Sequence, residues 1–203
     1  MGPGDPMVSG IIMASGFAKR IGCNKLMLEI SHKPIIEYVI RAAVESSLDE
    51  VILVYRMDAV RRVADSYGIK TVMNEDAEKG QSASVKKGIM AANQITDAFL
   101  FMVGDQPFLN SKTINQILSC HNKNPGQIIV PMYDNRPGNP VLFPFSFKPD
   151  LLLIEGDTGG KPVIQAHKER VTHICISPSI IGYDIDTLEK FENVKISLRN
   201  PQR

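Results

Sequence analysis

The sequence predicts an α/β protein, a three-layer α/β/α sandwich around a mostly parallel, mixed sheet. Short β-branched apolar runs alternate with stretches of helical spacing as far as residue 105. Such alternation is the pattern of a parallel sheet with helices on both faces, whose ligands bind beyond the carboxyl ends of the strands. The two loops richest in chemistry, after Ala14 and after Val103, fall at such ends.

Val8 to Ala14 is too short for a helix and runs into Ser15-Gly16, so it reads as a buried strand, followed by a loop to about Asn24. After Pro34, residues Ile36, Val39, Ile40 and Ala43 recur at i, i+3, i+4 and i+7, the stripe of an amphipathic helix with proline near its first turn. Glu50 to Tyr55 is the next strand. Val60, Val63, Ala64 and Tyr67 predict a helix over 58–67, and Val85, Gly88, Ile89 and Ala92 another over 82–93. Lys70 to Met73 and Ala98 to Val103 read as strands. A helix near 111–121 leads to a strand from Gln127 to Pro131. Beyond it come short apolar pieces broken by Pro and Gly, at Asn139 to Phe143, Val171 to Ile176 and Ile181 to Ile185. They predict an insertion packed on one edge, then a return to the main sheet.

At roughly 100–200 residues per domain, the 203 residues predict a single domain over 7–200, with residues 1–6 a disordered start or an expression scar. Hydrophobic residues at 43% and charged residues at 22% describe an ordinary globular chain rather than a disordered or fibrous one. Lys plus Arg total 23 against 22 for Asp plus Glu, which gives no reason to expect a nucleic-acid partner. No apolar run approaches the ~20 residues needed to span a bilayer, and the first residues lack the pattern of a secretory signal. Cys23, Cys120 and Cys175 are odd in number and show no C-x-x-C spacing, so neither a disulfide framework nor a zinc site is expected. A reducing cytoplasm is the expected home. His32, His121, His167 and His173 show no ligand spacing and read as surface or helix-end residues.

The segment from Met13 to Lys25 follows a strand. Small residues Ala14, Ser15 and Gly16 allow backbone N–H groups to approach an anion, and Lys19, Arg20 and Lys25 add three positive charges with no acidic residue between 8 and 28. That suits a triphosphate. The spacing is neither a Walker A loop nor G-x-G-x-x-G, because Cys23 stands where the Walker lysine would be. In Gly104-Asp105-Gln106-Pro107 an acid leaves the end of a buried strand, placed either to hold a divalent cation or to cap the next turn. Tyr183-Asp184-Ile185-Asp186-Thr187 alternates, so that as a strand it would project both carboxylates to one face. One of them is then a candidate second metal ligand, or an N-cap of a helix beginning near Leu188.

Together these residues resemble the molybdenum cofactor cytidylyltransferases, within the larger nucleotidyltransferases of guanylyltransferase and sugar-nucleotide type. The first segment is similar to that family's L-A-A-G-x-S-x-R-M-G-x-x-K loop, and Gly80-Gln81-Ser82-Ala83-Ser84-Val85 to its G-x-S-x-S-L turn at the nucleoside. Gly104-Asp105-Gln106-Pro107 matches its metal-binding G-D-Q-P. Gly138 to Phe143, Gly156 to Lys161 and Asp184 to Thr187 resemble its G-H/N-P-V-L-F, G-D-x-G-A-R and D-I-D-T-P. Ala18 replaces a serine and Lys161 an arginine, removing a hydroxyl donor and a bidentate fork. Ser15 stands where guanylyl-transferring relatives carry glycine and cytidylyl-transferring ones alanine, which leans toward a pyrimidine base.

The resemblance implies a Rossmann-like sandwich of the nucleotide-diphospho-sugar transferase type. It implies transfer of CMP from CTP, or GMP from GTP as the alternative, to the phosphate of a molybdopterin-type acceptor, with Mg²⁺ as cofactor. Arg20, Lys25 and Asp105 would be catalytic. Ala14, Ser15, Gly16, Arg20, Lys25, Gly80, Gln81, Ser82, Ser84, Gly104 and Asp105 would bind nucleotide, and Asp105 with Asp186 would hold the metal. A transient contact with the molybdenum hydroxylase that receives the product is also implied. Transfer to a sugar phosphate or other phosphorylated acceptor, or a non-catalytic nucleotide or cofactor carrier, are the competing readings.

Overall fold

The structure is a computed structural model describing residues 6–17 and 24–199. After strand β1 (Val8–Ala14) and a single 3₁₀ turn at Lys25–Met27, a small hairpin forms from β2 (Glu29–Ile30) and β3 (Lys33–Pro34). There follow α1 (Ile35–Val44), β4 (Glu50–Tyr55), α2 (Asp58–Asp65), β5 (Lys70–Met73), α3 (Gln81–Ala91) and β6 (Ala98–Val103). The strand-helix alternation predicted up to residue 105 is present. The chain continues through α4 (Ser111–Lys123), β7 (Ile128–Tyr133), β8 (Arg136–Pro137), β9 (Val141–Pro144), α5 (Lys148–Leu153), α6 (Lys161–Ala166), β10 (Val171–Cys175) and α7 (Leu188–Arg199).

The main sheet runs β10-β7-β9-β6-β1-β4-β5, with β8 paired to β7. β1 lies between β4 and β6, parallel to both, and β5 continues parallel to β4. β9 is antiparallel to β6 and β7, which makes the sheet mixed. This corrects the expectation that the last third packs on an edge: Val141, Leu142, Phe143 and Pro144 are all buried in the middle of the sheet, and only β10 closes its edge. Four residues without a polar face are what a strand covered on both sides requires.

Alternation along β1 divides the core. Ile12 faces α1, α2 and α4 through Ile36, Ile40, Val60 and Ile114, whereas Ile11 faces α3, α5 and α6 through Val85, Ile89, Leu151 and Val163. The helices therefore form two layers, as predicted. α3 comes so close to β1 that a Cβ on Gly88 would stand 2.4 Å from Ile11 Cγ2, so glycine sets the layer spacing there. A third cluster of Ile30, Ile35, Ile185, Phe191 and Val194 fastens the C-terminal segment and α7 over the small hairpin. His121 lies in the last turn of α4, one of the two places expected for it, but is buried there, and desolvation lowers its pKa against a weaker opposing pull from Asp97. Among the described residues no helix is long and apolar enough to cross a membrane.

Candidate active site

Because β1 and β6 are neighbours in register, with Met13 opposite Val103, the two loops at their carboxyl ends lie side by side. Gly104 N donates to Met13 O at 3.2 Å and ties them together. Between them and the start of α3 opens a cavity of about 400 Å³. The structure brings Ala14, Ser15, Gly16, Lys25, Gly80, Gln81, Ser84, Gly104 and Asp105 to its wall. Ser82 is not among them. It faces a separate groove with Asp76, Lys86 and Met90, because Ser82 and Ser84 are only two positions apart on α3 and point in different directions. Arg20 lies outside the described residues.

Lys25 is held by its neighbours. Asn24 Oδ1 accepts from Leu26 N, capping the 3₁₀ turn, while the Leu26 side chain inserts into the α1 side of the core. Between these anchors Lys25 Nζ reaches across to Asp105 Oδ2 at 2.5 Å. Asp105 leaves the end of β6 with its side chain 14% exposed. Burial pushes its carboxyl above the usual carboxylate range, the Lys25 ammonium opposes that push, and nearby Asp184 adds to it. A buried carboxylate whose charge is under-compensated by one lysine, with a second carboxylate close by, is a setting that a divalent cation relieves. The Asp105 turn is itself pinned to the C-terminal segment, since Ile185 N donates to Asp105 O and Gln106 Nε2 to Gly182 O.

The opposite wall depends on Gly80, which has φ +90° and ψ −169°, a backbone conformation open essentially to glycine. A Cβ there would run into the backbone of Gly156 and Asp157, and Ser82 N donates to Gly156 O at 3.1 Å. At the cavity floor Ser15 Oγ and Ser84 Oγ are 2.6 Å apart, and Asn74 Nδ2 donates to both. Sequence reasoning missed Asn74. Its one signal was position, an amide at the carboxyl end of β5, the next strand whose end faces the site; in sequence it looks like any turn asparagine.

A second, larger cavity of about 880 Å³ shares Gln81, Val103 and Asp105 with the first. Its remaining wall includes Gln106, Tyr133, Arg136, Asn139, Tyr183, Asp184 and Lys190. Residues 183–187 are not a strand, so the expected alternation does not operate. Asp184 turns toward the cavity that holds Asp105, whereas Asp186 Oδ1 lies 2.8 Å from Lys190 Nζ on the helix that follows and lines neither cavity. At the start of α7, Thr187 Oγ1 accepts from Lys190 N.

Residues 10–171 match the MobA-like NTP transferase domain. The chain belongs to this nucleotidyltransferase family. Among similar curated proteins, nicotine blue oxidoreductase of Paenarthrobacter nicotinovorans is 27% identical over 196 residues, 91% of this chain and 95% of its own. Purine catabolism protein PucB of Bacillus subtilis is 24% identical over 94% of this chain and 97% of its own. The molybdenum cofactor cytidylyltransferase of Escherichia coli is 30% identical over 65% of this chain and 67% of its own. A Mycobacterium tuberculosis protein solved as a complex with manganese superposes with a TM-score of 0.79 at 21% identity, over 94% of this chain and 99% of that one. The fold is that of the nucleotidyltransferases. Among the described residues no group of three or more His, Cys, Asp or Glu is placed to hold a metal alone. One or two carboxylates completed by phosphate oxygens and water suffice for Mg²⁺, so Asp105 with Asp184 fits a cation that arrives with a nucleotide.

Proposed function

We propose that this chain is a Mg²⁺-dependent cytidylyltransferase that moves CMP from CTP to the terminal phosphate of molybdenum-loaded molybdopterin, releasing pyrophosphate. The observation that carries the reading is the meeting of two cavities at Asp105: one beside the glycine loop for the nucleotide, one beside residues 133–139 for the acceptor. Asp105, with Asp184 in place of the expected Asp186, would hold the metal, which would supply neutralisation of phosphate charge. Lys25 leaves its ion pair with Asp105 to meet the polyphosphate, and Arg20 belongs to the same loop. The small residues Ala14, Ser15 and Gly16 let the backbone approach the phosphates, while Gly80, Gln81 and Ser84 border the base and ribose.

A phosphate-monoester nucleophile is already anionic near neutral pH, so the chain's task is alignment and charge compensation rather than proton removal. No histidine lines either cavity among the described residues, in keeping with that task. Arg136 and Lys190 supply positive charge on the acceptor side. The product then passes to a molybdenum hydroxylase. The test is transfer of label from [α-³²P]CTP to molybdenum-loaded molybdopterin, set beside sugar phosphates as acceptors. Label on a sugar phosphate alone overturns the acceptor, and label on neither, with CTP bound, favours a carrier.

The relative named nicotine blue oxidoreductase, aligned along 91% of the chain, favours a second reading, an oxidoreductase on this scaffold. Substrate reduction by NADH or NADPH without any nucleotidyl transfer would establish it.

A further inference from the structure

The hydroxyl hydrogens at the cavity floor outnumber the contacts that use them. Ser15, Asn74 and Ser84 are all buried. The Asn74 amide nitrogen donates to both hydroxyls, to Ser15 Oγ at 2.9 Å and to Ser84 Oγ at 3.2 Å. The amide's orientation is fixed from its other end, where Asn74 Oδ1 accepts from Asp76 N at 3.1 Å. The two hydroxyls carry two hydrogens between them. One is consumed in the 2.6 Å contact between them, whichever serine donates it. One remains, and the space both serines share is the nucleotide cavity.

We infer that Asn74 is a positioning residue for nucleoside recognition, holding Ser15 and Ser84 as acceptors so that the pair presents a single O–H donor to the base. The inference rests on the nucleotide reading of this cavity and deepens it. An O–H donor selects a base with a bare acceptor at that point, which the ring carbonyl of cytosine supplies. Cytosine sets its O2 carbonyl beside the bare acceptor N3, whereas guanine sets its O6 carbonyl beside the N1 imino hydrogen, so a lone donor favours cytosine. Asn74 touches no substrate; it acts through the two hydroxyls. The same counting makes the serines redundant. With either one replaced by alanine, the survivor still accepts from Asn74 and its own hydrogen is released, so the donor persists. With both replaced, no hydroxyl is left.

The decisive variant is Asn74→Asp. A carboxylate of the same shape only accepts, so both hydroxyls must donate to it and none faces the base. Titration of the whole chain with CTP, 2′-deoxy-CTP and GTP by calorimetry, without acceptor, separates the outcomes. The expected result is a loss of about tenfold or more in CTP affinity, an equal loss for 2′-deoxy-CTP, and little change for GTP, so that the CTP-to-GTP preference falls. A loosened fold would weaken all three nucleotides alike, and that pattern overturns the inference. A loss confined to CTP and absent with 2′-deoxy-CTP also overturns it, by moving the contact to the ribose. If Asn74→Asp does not fold, Ser15→Ala, Ser84→Ala and their combination decide: small single effects with a much larger double effect support the single shared donor, and additive effects refute it. Unchanged base preference in a variant that binds CTP refutes the positioning role alone, whereas a parent chain that binds no nucleotide refutes the reading beneath it.

Discussion

Replacing Gly80 by alanine tests the site wall through geometry that no rotamer can relieve. The new Cβ would stand 2.5 Å from Gly156 C and 2.6 Å from both Asp157 N and Gly156 O, all backbone atoms. At φ +90° and ψ −169° the residue is also in a region that a side chain strongly disfavours. Backbone strain of about 1–3 kcal/mol and overpacking of about 1–3 kcal/mol together give ~2–6 kcal/mol if the native wall is kept. For a chain of this size each kcal/mol lowers the melting temperature by about 2–4 °C, so the expected drop is ~4–24 °C. The alternative response, in which residues 156–157 retreat, spares the stability but breaks the Ser82 N to Gly156 O bond and opens the cavity, so CTP binding weakens instead. Thermal melting and CTP titration of Gly80→Ala are therefore read as a pair. A variant with the melting temperature and the CTP affinity of the parent would refute the packing argument.

Asp105→Ala should abolish pyrophosphate release while circular dichroism stays that of the parent, since the side chain sits at a strand end rather than in the core; residual turnover near the parent rate would count against its metal role. Lys25→Ala should weaken CTP by about 10–100-fold, the range for a hydrogen bond to a charged group, and matching titration curves would remove Lys25 from the phosphate site. Ser82→Ala should leave CTP affinity within about twofold, as it faces the other groove; a large loss would return it to the site. His121 supplies the pH test. Its folded-state pKa is lowered, so as pH falls through the unfolded value of 6.5 the unfolded chain takes up a proton that the folded chain resists, and stability declines by up to about 1.4 kcal/mol per pH unit. His121→Leu should show a shallower fall in melting temperature between pH 7 and 5 than the parent, and parallel curves would contradict the assignment.

The fold's first half was legible because its elements are long enough to display a period. The Ile36, Val39, Ile40 stripe and the unbroken run Ala98–Val103 each carry their own evidence of burial. β9 was not legible as a central strand: four apolar residues have no measurable period, and their place between β6 and β7 is set by pairing partners distant in sequence. Residues 183–187 misled for the same reason. Two acids flanking an isoleucine imitate a strand, but Ile185 is buried in the cluster beside α7 and its N–H is spent on Asp105 O, which turns Asp184 and Asp186 apart. At the site, Lys25, Gly80 and Asp105 stood out through charge, glycine or strand-end position. Asn74 did not, because its importance lies wholly in two serines 59 and 10 residues away. Ser82 was placed at the nucleotide by motif alone, and helix geometry turns it away.

The most direct measurement is pyrophosphate release with Mg²⁺ and molybdenum-loaded molybdopterin, run side by side with CTP, GTP and ATP, with Asp105→Ala as control. Release is expected with CTP, little with GTP or ATP, and none from the variant. Preference for GTP would contradict the base assignment, and release unaffected by Asp105→Ala would contradict the placement of the reaction where the two cavities meet.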